Sequence, residues 1–151
     1  MLSSSLEEFL ITIYKMSEER TELKSTEVAR TIDAPLQKTI QALQRMHYQK
    51  YIIYSPYQPL IITDKGKEMS RYLIARNNLL EEFLDILQIG KNREAEKEAI
   101  RQCLSYESLE ALESFVLFIR QYPEITKRLK LFSKVKPHVK LLPPIPSSEK
   151  L

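Results

Sequence analysis

Apolar residues recur at helical spacing from the start of the chain. Leu6, Phe9, Leu10, Ile13 and Tyr14 share one face of a helix predicted over residues 4–19, and Ser3 to Ser5 offer a hydroxyl cap. A short second helix follows from a Ser25 cap, where Val28, Ala29 and Ile32 repeat. Asp33-Ala34-Pro35 then breaks the pattern, and Pro35 suits the start of a third helix. That helix groups Thr39, Ala42, Leu43 and Met46 on one face. Its other face carries Gln37, Lys38, Ile40, Gln41, Gln44 and Arg45. From Tyr51 to Thr63 two β-branched and aromatic runs flank a proline-containing turn, which reads as a β-hairpin with Tyr57 and Gln58 at its tip.

A long helix opens at Asp64 and is expected to stop near Gly90. Three more are predicted: one over about 93–104, one from a Ser105 cap to Tyr122, and a short basic one from Pro123 to Phe132. The remainder has four prolines and no period, so it reads as an extended, flexible Pro/Lys-rich tail. The expected fold class is mainly α. An N-terminal winged helix-turn-helix (three helices plus a β-hairpin wing) is joined by a long helix to an all-α dimerisation domain. The expected domains are 1–63, 64–132 and the tail 133–151.

Composition narrows the function. The chain has 151 residues, 43% of them apolar and 28% charged, which suits one or two small globular domains. No 18-residue apolar run is present, so no membrane partner is expected. The first residues lack a basic and apolar leader, and Cys103 is the single cysteine, so a cytoplasmic location is expected. With only Gly66 and Gly90, neither a P-loop nor a Rossmann fingerprint can be written. There is no HExxH and no Ser/His/Asp set, so the chain is not expected to be an enzyme.

Charge adds a location. Residues 1–62 are net neutral, 63–124 carry −3 and 125–151 carry +6, within a total of +3. Ala34 to Thr63 holds no acid but does hold Lys38, Arg45 and Lys50. An acid-free face suits an approach to phosphate. Double-stranded DNA is therefore the expected partner, with Gln37, Lys38, Ile40, Gln41, Gln44, Arg45, Tyr57 and Gln58 as candidate contacts. A helical bundle with a solvated polar face is the other reading of the same pattern. A protein that dimerises but no longer binds DNA is a third. Leu79, Leu80, Phe83, Leu112, Phe115, Val116 and Phe118 exceed what so thin a domain covers, so a homodimer through about 64–120 is expected.

Several segments together resemble a known family. Lys50-Tyr-Ile-Ile-Tyr-Ser-Pro-Tyr-Gln-Pro-Leu-Ile-Ile-Thr-Asp-Lys-Gly-Lys carries most of the likeness. Ile13-Tyr14, Leu79-Leu80-Glu81-Glu82-Phe83-Leu84 and Leu104-Ser105 carry the rest. The chain resembles the diphtheria-toxin-repressor family of iron- and manganese-dependent transcription regulators, in particular its manganese-transport-regulator branch. The resemblance implies dimers that bind operator DNA when Mn2+ or Fe2+ sits between the two domains.

The implied ligand positions are Glu8, Ile11, Asn77, Glu98, Arg101 and Gln102. Only Glu8 and Glu98 keep a carboxylate. Ile11 has no donor atom, Arg101 is a cation, and Asn77 and Gln102 offer neutral amides where the family has histidine. No cofactor is therefore expected, and Arg101 is expected to stand in for the ion's charge by pairing with Glu8 or Glu98. A solvated Arg101 is the plainer possibility. The alternative is a manganese- or iron-responsive repressor with a rebuilt site. Cys103 has two readings, a redox trigger and a small apolar filler. His47 reads as a surface or phosphate-contacting residue.

Overall fold

The computed structural model describes residues 2–135 and 141–147. Lys136, His138 and Lys140 of the basic tail lie outside them. The described elements are α1 (Ser4–Glu19), α2 (Ser25–Ile32), α3 (Leu36–Tyr48), β1 (Ile52–Ile53), β2 (Ile61–Ile62), α4 (Asp64–Ile86), α5 (Arg93–Cys103), α6 (Tyr106–Gln121) and α7 (Pro123–Lys134). The chain forms two compact units, Met1–Glu81 and Glu82–Leu151. The change of sequence pattern at 63/64 and this division differ, because most of α4, residues 64–81, is built into the first unit. Leu73 joins that unit's core, and Arg76 pairs with Glu7.

In the first unit, α1, α2 and α3 surround Leu10, Ile13, Val28, Leu43 and Met46, all inaccessible to solvent. The spacing that predicted the helices also closes the core. Ser3 caps α1 by accepting the Leu6 N–H. The expected Ser25 cap is not made: Lys24 holds the cap position without a side-chain bond, and Ser25 is the first helical residue.

β1 and β2 pair antiparallel, Ile52 with Ile62 and Ile53 with Ile61. Strand alternation buries the first pair and exposes the second. Leu60 N–H bonds the Leu23 carbonyl at 2.8 Å, tying the hairpin to the loop before α2.

Helix ends show how a chain with two glycines stops its helices. Asp33, Lys50 and Gln88 each adopt a left-handed φ near +60°. Each is followed by a bond reaching five residues back: Ala34 N–H to Ala29 O, Tyr51 N–H to Met46 O, and Ile89 N–H to Leu84 O. This is the Schellman closure, made here without glycine. It corrects one expectation: α4 ends at Ile86 through Gln88, before Gly90 is reached.

Gly66 is needed for a different reason. A Cβ there would lie 2.0 Å from the Tyr51 carbonyl oxygen. The first turn of α4 therefore sits directly on the Tyr51 backbone. Thr63 fixes that approach: its Oγ1 lies 2.9 Å from the Tyr51 oxygen and accepts the Gly66 N–H at 3.0 Å.

The second unit buries Leu84, Leu109, Val116 and Ile119. Phe115 meets Phe83 edge-on, with ring centroids 6.4 Å apart. Much apolar surface remains outside. Tyr106, Phe115, Leu117, Phe118, Leu131 and Phe132 are all exposed, and α7 buries no residue. Of the residues expected at a dimer interface, Leu80 and Val116 are instead buried within the single chain, while Phe115 and Phe118 are open.

Candidate nucleic-acid interface

Helix α3 faces two ways. Thr39, Ala42, Leu43 and Met46 lock it into the first unit. Gln37, Lys38, Gln41, Gln44 and Arg45 are exposed, and Ile40 is half-buried. The 3.6-residue period sets this split, so every candidate contact on α3 lies on the side away from the core. Lys38, Gln41 and Arg45 border a recess of about 130 Å3 with Ser3 and Ser5 at the start of α1.

The wing tip is built by one turn. Gln58 N–H bonds the Ser55 carbonyl at 3.2 Å, with Pro56 and Tyr57 between them. Tyr57 has φ +65° and its side chain is fully exposed. A type II turn wants glycine at this position. A left-handed tyrosine costs about 1–2 kcal/mol, and this one recovers nothing by packing within the chain. Strain of this kind gathers at functional surfaces.

The wing is held to α3 by a residue that sequence reasoning treated differently. His47 Nδ1 accepts the Tyr54 N–H at 3.1 Å, linking the last turn of α3 to the wing. A histidine reaching seven residues on has no signal in local sequence pattern, so its positioning role emerges only from the fold. Lys65 adds a second brace, bonding the Gln49 carbonyl at 2.8 Å and lying over the Tyr51 ring. Half-buried Arg76 grips Glu7 at 2.7 Å and fixes α4 against α1.

The six family ligand positions fall in both units. In the first, Glu8 is exposed and Ile11 packs against the hydrophobic core. Asn77 is half-buried on α4. In the second, α5 brings Glu98, Arg101 and Gln102 together. Arg101 pairs with the Glu98 carboxylate, and Gln102 Nε2 donates to its other oxygen at 3.0 Å. A divalent ion wants carboxylate oxygen or imidazole ligands. On α5 the one carboxylate already carries a cation and an amide, and on α1 one of the two positions is hydrocarbon. This donor set does not fit Mn2+ or Fe2+. Among the described residues no three of His, Cys, Asp or Glu gather as a metal site. Cys103 is exposed and lines an open apolar groove of about 680 Å3 with Phe83, Ile100, Leu104, Leu112 and Phe115.

Three helices, a buttressed two-stranded wing and an acid-free outer face define a winged helix-turn-helix DNA-binding protein. Two sequence models of one family match in tandem. Residues 1–60 match the iron dependent repressor N-terminal DNA binding domain, and residues 63–130 match the iron dependent repressor metal binding and dimerisation domain. The chain belongs to the iron-dependent repressor family, whose members are transcription regulators and not enzymes.

Its relatives include the HTH-type transcriptional regulator MntR of Listeria monocytogenes serotype 4a (strain HCC23). That protein is 28% identical over 93% of this chain and 99% of its own length. The MntR of Bacillus subtilis (strain 168) is 27% identical over 91% of this chain and 98% of its own length.

Solved structures agree in fold. The metal-dependent transcriptional regulator MtsR aligns with a TM-score of 0.62 at 21% identity, over 75% of this chain and 54% of its own. ScaR with bound Zn2+ aligns with a TM-score of 0.61 at 18% identity, over 74% of this chain and 53% of its own. The chain thus spans about half the length of those solved structures. No described helix is long and apolar enough to cross a membrane.

Proposed function

We propose that the chain is a homodimeric, sequence-specific transcription regulator whose DNA binding requires no ion at the six family positions. The observation that carries the DNA reading is the outer face of α3 beside the wing, within thirty residues (34–63) that hold no acid. Gln37, Gln41 and Gln44 present amides to base edges, and Lys38 and Arg45 hold phosphates. Tyr57 and Gln58 carry the wing onto the backbone or minor groove. Two-fold pairing of the second unit sets two α3 helices about one DNA turn apart, roughly 34 Å. Such a regulator works in the cytoplasm, where bacterial DNA lies.

The metal response divides into two readings. Kinship favours the first: the family model names metal binding, and relatives at 27–28% identity bear the name MntR. The chain would then be a manganese- or iron-responsive repressor with a rebuilt site that uses Glu8, Glu98 and further acids. The donor chemistry favours the second, in which metal activation is lost and Arg101 supplies the positive charge beside Glu98. Fluorescence anisotropy on the DNA upstream of the protein's own gene separates them. Tight, salt-sensitive binding in EDTA, unchanged by Mn2+, supports lost activation. Binding only with Mn2+ supports the rebuilt site and overturns lost activation. If Glu98→Ala abolishes a Mn2+ response, the six positions are in use and the proposal fails.

A further inference from the structure

The DNA-facing side of α3 contains two apolar residues that core packing does not require. Leu36 is 44% exposed and Ile40 is half-buried, while the core-facing positions of α3 are already filled by Ala42, Leu43 and Met46. Leu36, Ile40 and Gln44 follow one another at four-residue intervals and form one row on the helix. Gln37, Gln41 and Arg45 form the neighbouring row. Leu36 and Ile40 also line a cleft of about 640 Å3 between α3 and the wing, with Tyr54 and Tyr57 on its other side. Lys38, Gln41 and Arg45 lie toward the start of α1, at the smaller recess. The face thus carries an apolar pair beside a pair of amides, with Glu22 and Lys24 also on the wall of the cleft.

Base-edge chemistry gives this arrangement a specific complement. The C5-methyl of thymine is the one apolar group that bases show in the major groove. Adenine shows an acceptor and a donor that one glutamine amide satisfies together, whereas guanine calls for arginine or lysine. Resting on the DNA-binding reading above, we infer that Leu36 and Ile40 read thymine methyl groups and that this chain selects A·T pairs at the centre of each half-site. Gln37 and Gln41 bond the adenines of the same or adjacent pairs.

The test removes the methyl and leaves the protein untouched. Duplexes are selected from a random 30-base-pair library by the full-length protein, in EDTA and in Mn2+. The winning duplex is then remade with uracil for thymine, one position at a time. We expect A·T pairs at the selected central positions. Binding should weaken about threefold to fourfold at one or two positions per half-site, the effect of one buried methyl. Ile40→Ala and Leu36→Ala should bind thymine and uracil duplexes equally at the position each residue reads. If the selected duplex binds in a salt-sensitive manner but uracil changes nothing, the thymine inference is wrong and the regulator reading stands. Selection of G·C pairs at the centre overturns the inference in the same way. If no sequence is enriched in either buffer, the regulator reading itself fails and the inference falls with it.

Discussion

Residues 1–81 close a core of their own, whereas residues 82–151 leave six large apolar side chains of α6 and α7, and Tyr122 between them, open. The first unit buries residues from α1, α2, α3, the wing and α4 around one centre. What it exposes is mostly polar, with Leu36, Tyr48 and Tyr72 on its helices and Ile53, Tyr57 and Ile61 on the wing as the large apolar exceptions. The second unit buries Leu84, Leu109, Val116 and Ile119 but exposes Tyr106, Phe115, Leu117, Phe118, Tyr122, Leu131 and Phe132. A surface of that kind marks an interaction site. The difference separates two tasks. A DNA reader needs a rigid frame with a solvated face, and a dimeriser needs an apolar face that is satisfied only by a second copy.

The largest expected effect breaks the second unit's task while sparing the first. Phe115 stands exposed beside Phe83 on the open groove. Phe115→Asp places a charge where the second copy should pack. Sedimentation should then show the monomer mass of 17.8 kDa, and DNA affinity should fall by about a hundredfold, because two linked half-sites become one. A variant that remains dimeric and binds normally would move the interface elsewhere.

A smaller effect strikes the first unit's frame. Gly66→Ala drives a methyl into the Tyr51 carbonyl, an overpacked contact with backbone that cannot step aside. Unfolding in urea should show a loss of about 3 kcal/mol. The same substitution at Gly90 meets no atom within 4 Å and should lie within about 0.5 kcal/mol of the parent. Equal losses at the two glycines would mean that the tight seat of α4 on the wing does not govern stability.

The helices and the wing were legible because amphipathic period and turn residues mark them. The candidate DNA face drew notice because thirty consecutive residues without an acid stand out in a chain of ordinary charge density. The stop of α4 was not legible, since glycine is the usual signal and Gln88, not Gly90, takes the left-handed position there. The bond from Tyr54 N–H to His47 depends on tertiary placement and leaves no mark in local pattern. Among the family ligand positions, the Arg101–Glu98 pair was readable from helical spacing. The packing of Ile11 against the core of the first unit needed the fold.

The smallest effect distinguishes strain kept for stability from strain kept for function. Tyr57 at the wing tip and Gln88 after α4 both hold a left-handed backbone, with φ of 65° and 61°. Glycine at either place removes the Cβ penalty at some entropic expense, so each substitution should stabilise by up to about 1 kcal/mol. Their effects on DNA should part. Gln88→Gly ends the same helix and should leave affinity unchanged. Tyr57→Gly frees the turn but deletes the wing's exposed ring, and should weaken DNA binding severalfold while melting slightly later. If Tyr57→Gly binds as tightly as the parent, the left-handed tyrosine is only an expensive turn, and contact with DNA rests on α3 alone.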